Sequence, residues 1–199
     1  MTKTIDFIFD FGSPNAYLSN AVLQDMAARR RARVNRIPCL LGGIFKATGN
    51  QAPMIAFGNI KGKMDYEMLE TRRFIQRHKL DRFQMNPHFP VNTLTIMRGL
   101  VAADADGYGD RYVDVVLSAM WERGLKMDDP AVIKATLDEA GLDGDRTLTR
   151  AGEDAVKARL AENTQEAVAR GVFGIPTFFV GGEMFFGKER LGQVEEMLG

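Results

Sequence analysis

An α/β sheet domain interrupted by an all-helical insertion is the fold class that this sequence predicts. Three observations carry the prediction. Strand-type alternation opens the chain in a β-α-β unit, and the same alternation returns after Gly171 as a hairpin. Between them, Gly42 to Arg170 shows helical periodicity and hardly any strand signal.

Taken in order, Thr4 to Asp10 holds Ile5, Phe7 and Phe9 on one parity and reads as a strand. Gly12-Ser13-Pro14 then punctuates the chain. Serine is a preferred N-cap and proline suits the first helical turn, so a helix follows from Ala16 to Arg29, with Leu18, Val22, Leu23 and Met26 at helical spacing. Its basic end, Arg29-Arg30-Arg31, suits the negative pole of a helix. Arg33 to Leu41, with Val34, Ile37 and Leu40, reads as a second strand, and such units are normally parallel with a right-handed crossover. In the middle, periodicity predicts helices over Met64 to His78, Thr93 to Ala105, Arg111 to Arg123 and Ala131 to Ala140, then a longer one from Ala151 to Arg170. Turn clusters such as Asn86-Pro87-His88-Phe89-Pro90 and Asp128-Asp129-Pro130 separate them. Thr177 to Val180 and Glu183 to Phe186 flank Gly181-Gly182, a strong two-residue hairpin signal, and a short helix from Lys188 to Leu198 closes the chain.

The 199 residues, 45% hydrophobic and 26% charged, are enough for one domain with an insertion and a sizeable core. Lys plus Arg and Asp plus Glu each total 26, so the net charge is zero and no nucleic-acid partner is expected. Cys39 is the single cysteine, which excludes an intramolecular disulfide and a CxxC redox pair. With His78 and His88 the only histidines, a zinc site has almost no ligands to draw on. Asp104-Ala105-Asp106-Gly107 begins like a calcium loop, but Val115 stands at the twelfth position, so no metal site is expected. The N-terminus alternates instead of forming the apolar run of a signal peptide, and no window approaches the ~18 apolar residues of a membrane span. The expected setting is cytoplasmic, with no membrane partner.

Ser13 stands where a strand ends and a helix begins, a place whose free N–H groups and dipole favour an anion. Its hydroxyl is either a plain N-cap or a donor to a bound thiolate or carboxylate. No GxSxG elbow surrounds it, so a hydrolase nucleophile has no support. Pro176 is equally double: an ordinary first residue of a strand, or a cis proline that exposes the Ile175 backbone to a ligand. Cys39 and Trp121 read as core residues, and His88 as a surface loop residue. Arg72, Arg73, Arg77 and Lys79 read as a solvated helix face, while Arg98 suits either a substrate carboxylate or the polar side of its helix.

The run Phe9-Asp10-Phe11-Gly12-Ser13-Pro14-Asn15-Ala16-Tyr17-Leu18 resembles the 2-hydroxychromene-2-carboxylate isomerase family, as do Gly171 to Val180 and Phe186-Gly187-Lys188-Glu189-Arg190-Leu191. Leu41 to Lys46, Gly49-Asn50, Lys63 to Tyr66, Phe89 to Thr93 and Ala119 to Trp121 extend the resemblance over nearly the whole chain. That family stands with kappa-class glutathione transferases and DsbA-like thioredoxin-fold proteins. The resemblance implies a discontinuous thioredoxin-like domain, residues 1–41 and 171–199, with a helical insertion and connecting helix at 42–170. It places Ser13 where the redox cysteine of the fold would be, hydrogen-bonded to the sulfur of glutathione. Asn50 and Lys63 match positions that contact glutathione or the substrate side of the cleft. Ile175, before a cis Pro176, would offer backbone hydrogen bonds to the cysteinyl part. Lys188 and Glu189 match the pair at the γ-glutamyl end, although the family usually has Asp in place of Glu189 and often Ser or Asn in place of Lys188. The implied activity is glutathione-dependent isomerisation of small aromatic 2-oxo acids by a homodimer. A kappa-like transferase or peroxidase is the rival in chemistry. A non-catalytic thioredoxin-fold binding or chaperone module is the rival of another class.

Overall fold

The computed structural model describes residues 3–199. Strand β1 (Thr4–Phe9) leads into helix α1 (Pro14–Arg29) and strand β2 (Arg33–Pro38). Nine helices follow in the rest of the described chain: α2 (Leu41–Thr48), α3 (Pro53–Ala56), α4 (Lys63–His78), α5 (Leu94–Ala105), α6 (Gly109–Trp121), α7 (Pro130–Glu139), α8 (Gly144–Ala151), α9 (Asp154–Ala169) and a final α10 (Leu191–Leu198). Strands β3 (Thr177–Val180) and β4 (Glu183–Phe186) and a 3-10 turn at Lys188–Arg190 come just before α10.

The four strands form one sheet in the order β2-β1-β3-β4, with β1 parallel to β2 and antiparallel to β3. Phe7 lies opposite Phe178 in register, and their rings stack with centroids 5.1 Å apart. The first and last segments of the chain therefore share a core, as the alternation of their sequences predicts. Each such aromatic side chain, taken fully out of water, contributes about 1.5–3 kcal/mol. Gly181 and Gly182 have φ of +59° and +91°, both in the region that the tight hairpin turn requires.

Helices α1 and α10 pack on each other and on the sheet, and α9 and α5 both reach β2. Within the helical part, α5 is the hub, touching α6, α8 and α9. Gly99 makes that packing possible: a Cβ there would clash with the Tyr112 hydroxyl, which donates to the Ile96 carbonyl at 3.0 Å. The buried Trp121 donates from Nε1 to the Phe11 carbonyl at 2.9 Å and ties α6 to the segment before α1. No helix among the described residues is long and apolar enough to cross a membrane.

Three boundaries differ from the sequence reading. The second strand stops at Pro38 and the chain turns at once into α2, because Asp10 Oδ2 accepts the Leu41 N–H at 2.7 Å and Thr164 Oγ1 accepts the Leu40 N–H at 3.0 Å. The expected long helix from Ala151 to Arg170 starts later, as α9 at Asp154 after a break at Gly152-Glu153, and α8, capped by Asp143, which accepts the Arg146 N–H, is a further helix that the sequence did not predict. The closing helix begins as the 3-10 turn, set by Gly187 at φ +93°.

Candidate functional site

Ser13 is the N-cap of α1, with Pro14 in the first helical position. Its Oγ accepts the Ala16 N–H at 3.2 Å and donates to the backbone carbonyl of Ile175 at 3.0 Å. Ser13 and Ile175 are 4% and 7% exposed, so this link is nearly dry. The Ile175–Pro176 peptide bond is cis. The start of α1 and the proline loop are thus brought together by the serine side chain itself. The first-turn N–H of Asn15 and the N–H of Ile175 meet no acceptor among the described residues. Two amide donors therefore flank the hydroxyl, at the end of a helix whose dipole favours negative charge.

Asp10 supports this arrangement from below. Its carboxylate is fully buried and accepts from Gly12 N at 2.8 Å, Leu41 N at 2.7 Å and Thr93 Oγ1 at 2.7 Å. Burial pushes the carboxyl above the ordinary range, and the three hydrogen bonds oppose that push. Both oxygens are committed, so Asp10 fixes the β1–α1 turn and is not placed to take a proton from a ligand. The sequence reading missed this role, since two of its three partners, Leu41 and Thr93, are distant in the chain.

On the other side of Pro176, its carbonyl accepts the Gly187 N–H at 2.9 Å and so fixes the turn that carries Lys188 and Glu189. Lys188 is buried, and its ammonium bonds to the Glu189 carboxylate. The other Glu189 oxygen folds back over Gly187, where a Cβ would stand 2.8 Å from it. This turn and α4 face each other across an open cleft of about 410 Å³ lined by Glu70, Arg73, Phe74, Arg77, Lys188 and Glu189. Arg73 and Arg77, read from sequence as a solvated helix face, are exposed but line this cleft.

Lys63 begins α4 and bonds to Glu67, which holds its ammonium above the ordinary range, with a smaller pull from Glu189. Asn50 is exposed just past the C-cap of α2, and its side chain makes no hydrogen bond among the described residues. Ser13 and Ile175 are therefore joined directly, and Lys188 and Glu189 follow one hydrogen bond away from Pro176. Asn50 is linked to none of them. Phe173 and Phe186, 41% and 40% exposed, pack with centroids 4.6 Å apart beside the proline loop. Gly174 lets the loop approach, because a Cβ there would be 2.9 Å from the Phe186 ring. Cys39 is fully buried, and burial first, then the charges of Asp10 and Glu166, pushes its thiol up to about 12. It is a core residue, as its sequence context predicts.

The chain is similar over 98% of its length to the 2-hydroxychromene-2-carboxylate isomerase of Pseudomonas putida, at 29% identity and covering 94% of that protein. Human glutathione S-transferase kappa 1 is 25% identical over all of this chain and 92% of its own. Among solved structures, a 2-hydroxychromene-2-carboxylate isomerase superimposes with a TM-score of 0.84 at 29% identity, covering 98% of this chain and 94% of that one. The DsbA of Pseudomonas aeruginosa shares the fold, with a TM-score of 0.59 at 17% identity, covering 98% of this chain and 81% of that one. The model of the DSBA-like thioredoxin domain matches residues 4–199, nearly the whole sequence. The chain belongs to the DSBA-like thioredoxin domain family.

Proposed function

We propose that this protein is a glutathione-dependent isomerase acting on aromatic 2-oxo acids of the 2-hydroxychromene-2-carboxylate type. The observation that carries the reading is Ser13: a hydroxyl at the start of α1, held against Ile175 beside a cis proline, in a chain whose single cysteine is buried elsewhere. A disulfide oxidoreductase needs a thiol pair that this site lacks. The likeness to the isomerases over the full length supports the same reading.

The residues present fit glutathione. The unpaired N–H of Ile175 suits its peptide carbonyls, and the cleft beside Lys188 suits its charged ends. When bound, glutathione supplies a thiolate that adds reversibly to a conjugated double bond, which permits rotation about that bond before the thiolate leaves. A free thiol, with a pKa near ~8.5, is mostly protonated at neutral pH. The N-terminus of α1 and the Ser13 hydroxyl both favour the ionised sulfur. Ser13 has one proton to donate, so it turns from the Ile175 carbonyl to the sulfur while its oxygen still caps Ala16. The Ile175 carbonyl that it leaves would accept a peptide N–H of glutathione, so a neutral hydrogen bond of about 1 kcal/mol is kept there while a charge-assisted one of about 1.5–3 kcal/mol is gained at the sulfur. The balance favours the thiolate. The exposed Phe173–Phe186 pair offers apolar surface near the same loop for an aromatic substrate.

The test is an assay of the purified protein on a chromene carboxylate and on a generic aryl halide, with and without glutathione. Isomerisation that requires glutathione supports the reading. Conjugation of the aryl halide without isomerisation would replace it by a transferase. No turnover of either, and no thermal stabilisation by glutathione, would leave a binding module.

A further inference from the structure

We infer that the cleft between α4 and the Gly187–Arg190 turn is a carboxylate subsite in which Arg77 is the principal contact for an acidic end group of the bound thiol. The inference rests on the glutathione reading and names a residue that the sequence left on a solvated face. Three cations, Arg73, Arg77 and Lys188, and two carboxylates, Glu70 and Glu189, line the cleft. Four of these five charges are already spent on one another. Arg73 pairs with Glu70 along α4, and the ammonium of Lys188, on a side chain only 1% exposed, pairs with Glu189.

Glu189 has one oxygen on Lys188, and the other lies near the Gly187 backbone. Its charge is already matched by the buried ammonium of Lys188. Arg77 is the cleft's remaining charge, and it makes no ion pair among the described residues. What the cleft presents is thus one unspent guanidinium, whose planar fork matches a carboxylate. The Gly187–Pro176 hydrogen bond sets this cleft beside the Ser13–Ile175 link.

Titration calorimetry of glutathione and of S-methylglutathione tests this, with the wild type, Arg77→Gln, Arg77→Lys and Arg72→Gln. Arg72 is also exposed on α4 but does not line the cleft, and it serves as the control for diffuse charge. Arg77→Gln should weaken both ligands by about tenfold, the loss of one charge-assisted hydrogen bond, and Arg77→Lys by less. Arg72→Gln should bind as the wild type does. Added salt should weaken the wild type more than Arg77→Gln. Equal affinities of wild type and Arg77→Gln would overturn the subsite while leaving the glutathione reading intact, as would equal losses in Arg77→Gln and Arg72→Gln. A wild type that binds neither ligand would refute the glutathione reading, and the subsite with it.

Discussion

Replacing Ser13 by alanine removes two buried hydrogen bonds and almost no volume, so its cost in the ligand-free protein follows from the geometry. The first loss is the side-chain cap on Ala16, made at 3.2 Å and worth ~1 kcal/mol in helices generally. The Ala16 N–H keeps a bond to the Ser13 carbonyl at 3.0 Å, which places this loss at the low end. The second loss is larger: the Ile175 carbonyl, on a residue 7% exposed, is left without its donor, at about 1–3 kcal/mol. The expected sum is about 2–3 kcal/mol. Urea denaturation should show a lower midpoint at unchanged slope, and the melting temperature should fall by roughly 4–12 °C. Ser13→Gly should lose the Ile175 bond but little of the cap, since glycine is tolerated there, so comparing the two variants separates the contributions. A loss below about 0.5 kcal/mol in Ser13→Ala, the size of an ordinary surface change, would refute the buried link.

Other expectations follow from the same contacts. Asp10→Ala should cost more than about 3 kcal/mol, because Gly12 N, Leu41 N and the Thr93 hydroxyl all lose their acceptor; chemical denaturation measures it. Gly99→Ala should destabilise by about 1–3 kcal/mol through the clash with Tyr112, and Tyr112→Phe should relieve part of that loss in the double variant. Cys39 should be inert to a thiol reagent at neutral pH until the protein unfolds. Its folded pKa is about 12 against an ordinary value of 9.0, so above that lower value the unfolded chain ionises first. Stability should therefore fall as pH rises from the lower value toward the upper, and less so in Cys39→Ala.

The parts of the fold that were legible in the sequence are those specified locally. Ile5, Phe7 and Phe9 alternate because one face of β1 meets Phe178, and the glycine pair between β3 and β4 permits one kind of turn. Helix α2 was not legible: Gly42 and Gly43 weaken any helical signal, and the bonds that start it come from Asp10 and Thr164, distant in sequence. Helix α8 was hidden because Gly144, a residue type that favours turns, sits inside the first turn of a helix capped by Asp143. At the site, Ser13 and the cis Pro176 were visible through their flanking motifs. The burial of Lys188 was not, since Gly-Lys-Glu-Arg carries every mark of a solvated turn and only the tertiary contacts of the 3-10 turn with α1 and β4 enclose it. Arg73 and Arg77 are exposed, as a solvated helix face predicts, but a helix face gives no sign of the cleft that stands opposite.

The role of the Ser13 hydroxyl as donor to a sulfur anion is tested most directly by thiolate absorbance. Bound glutathione is titrated against pH in the wild type and in Ser13→Ala, at concentrations that saturate both. In the wild type the bound thiol should ionise below the ~8.5 of a free thiol. In Ser13→Ala its pKa should rise by about 1–2 units, the equivalent of one charge-assisted hydrogen bond. Two superimposable titration curves would show that Ser13 only caps α1 and holds Ile175, and would contradict its part in the chemistry.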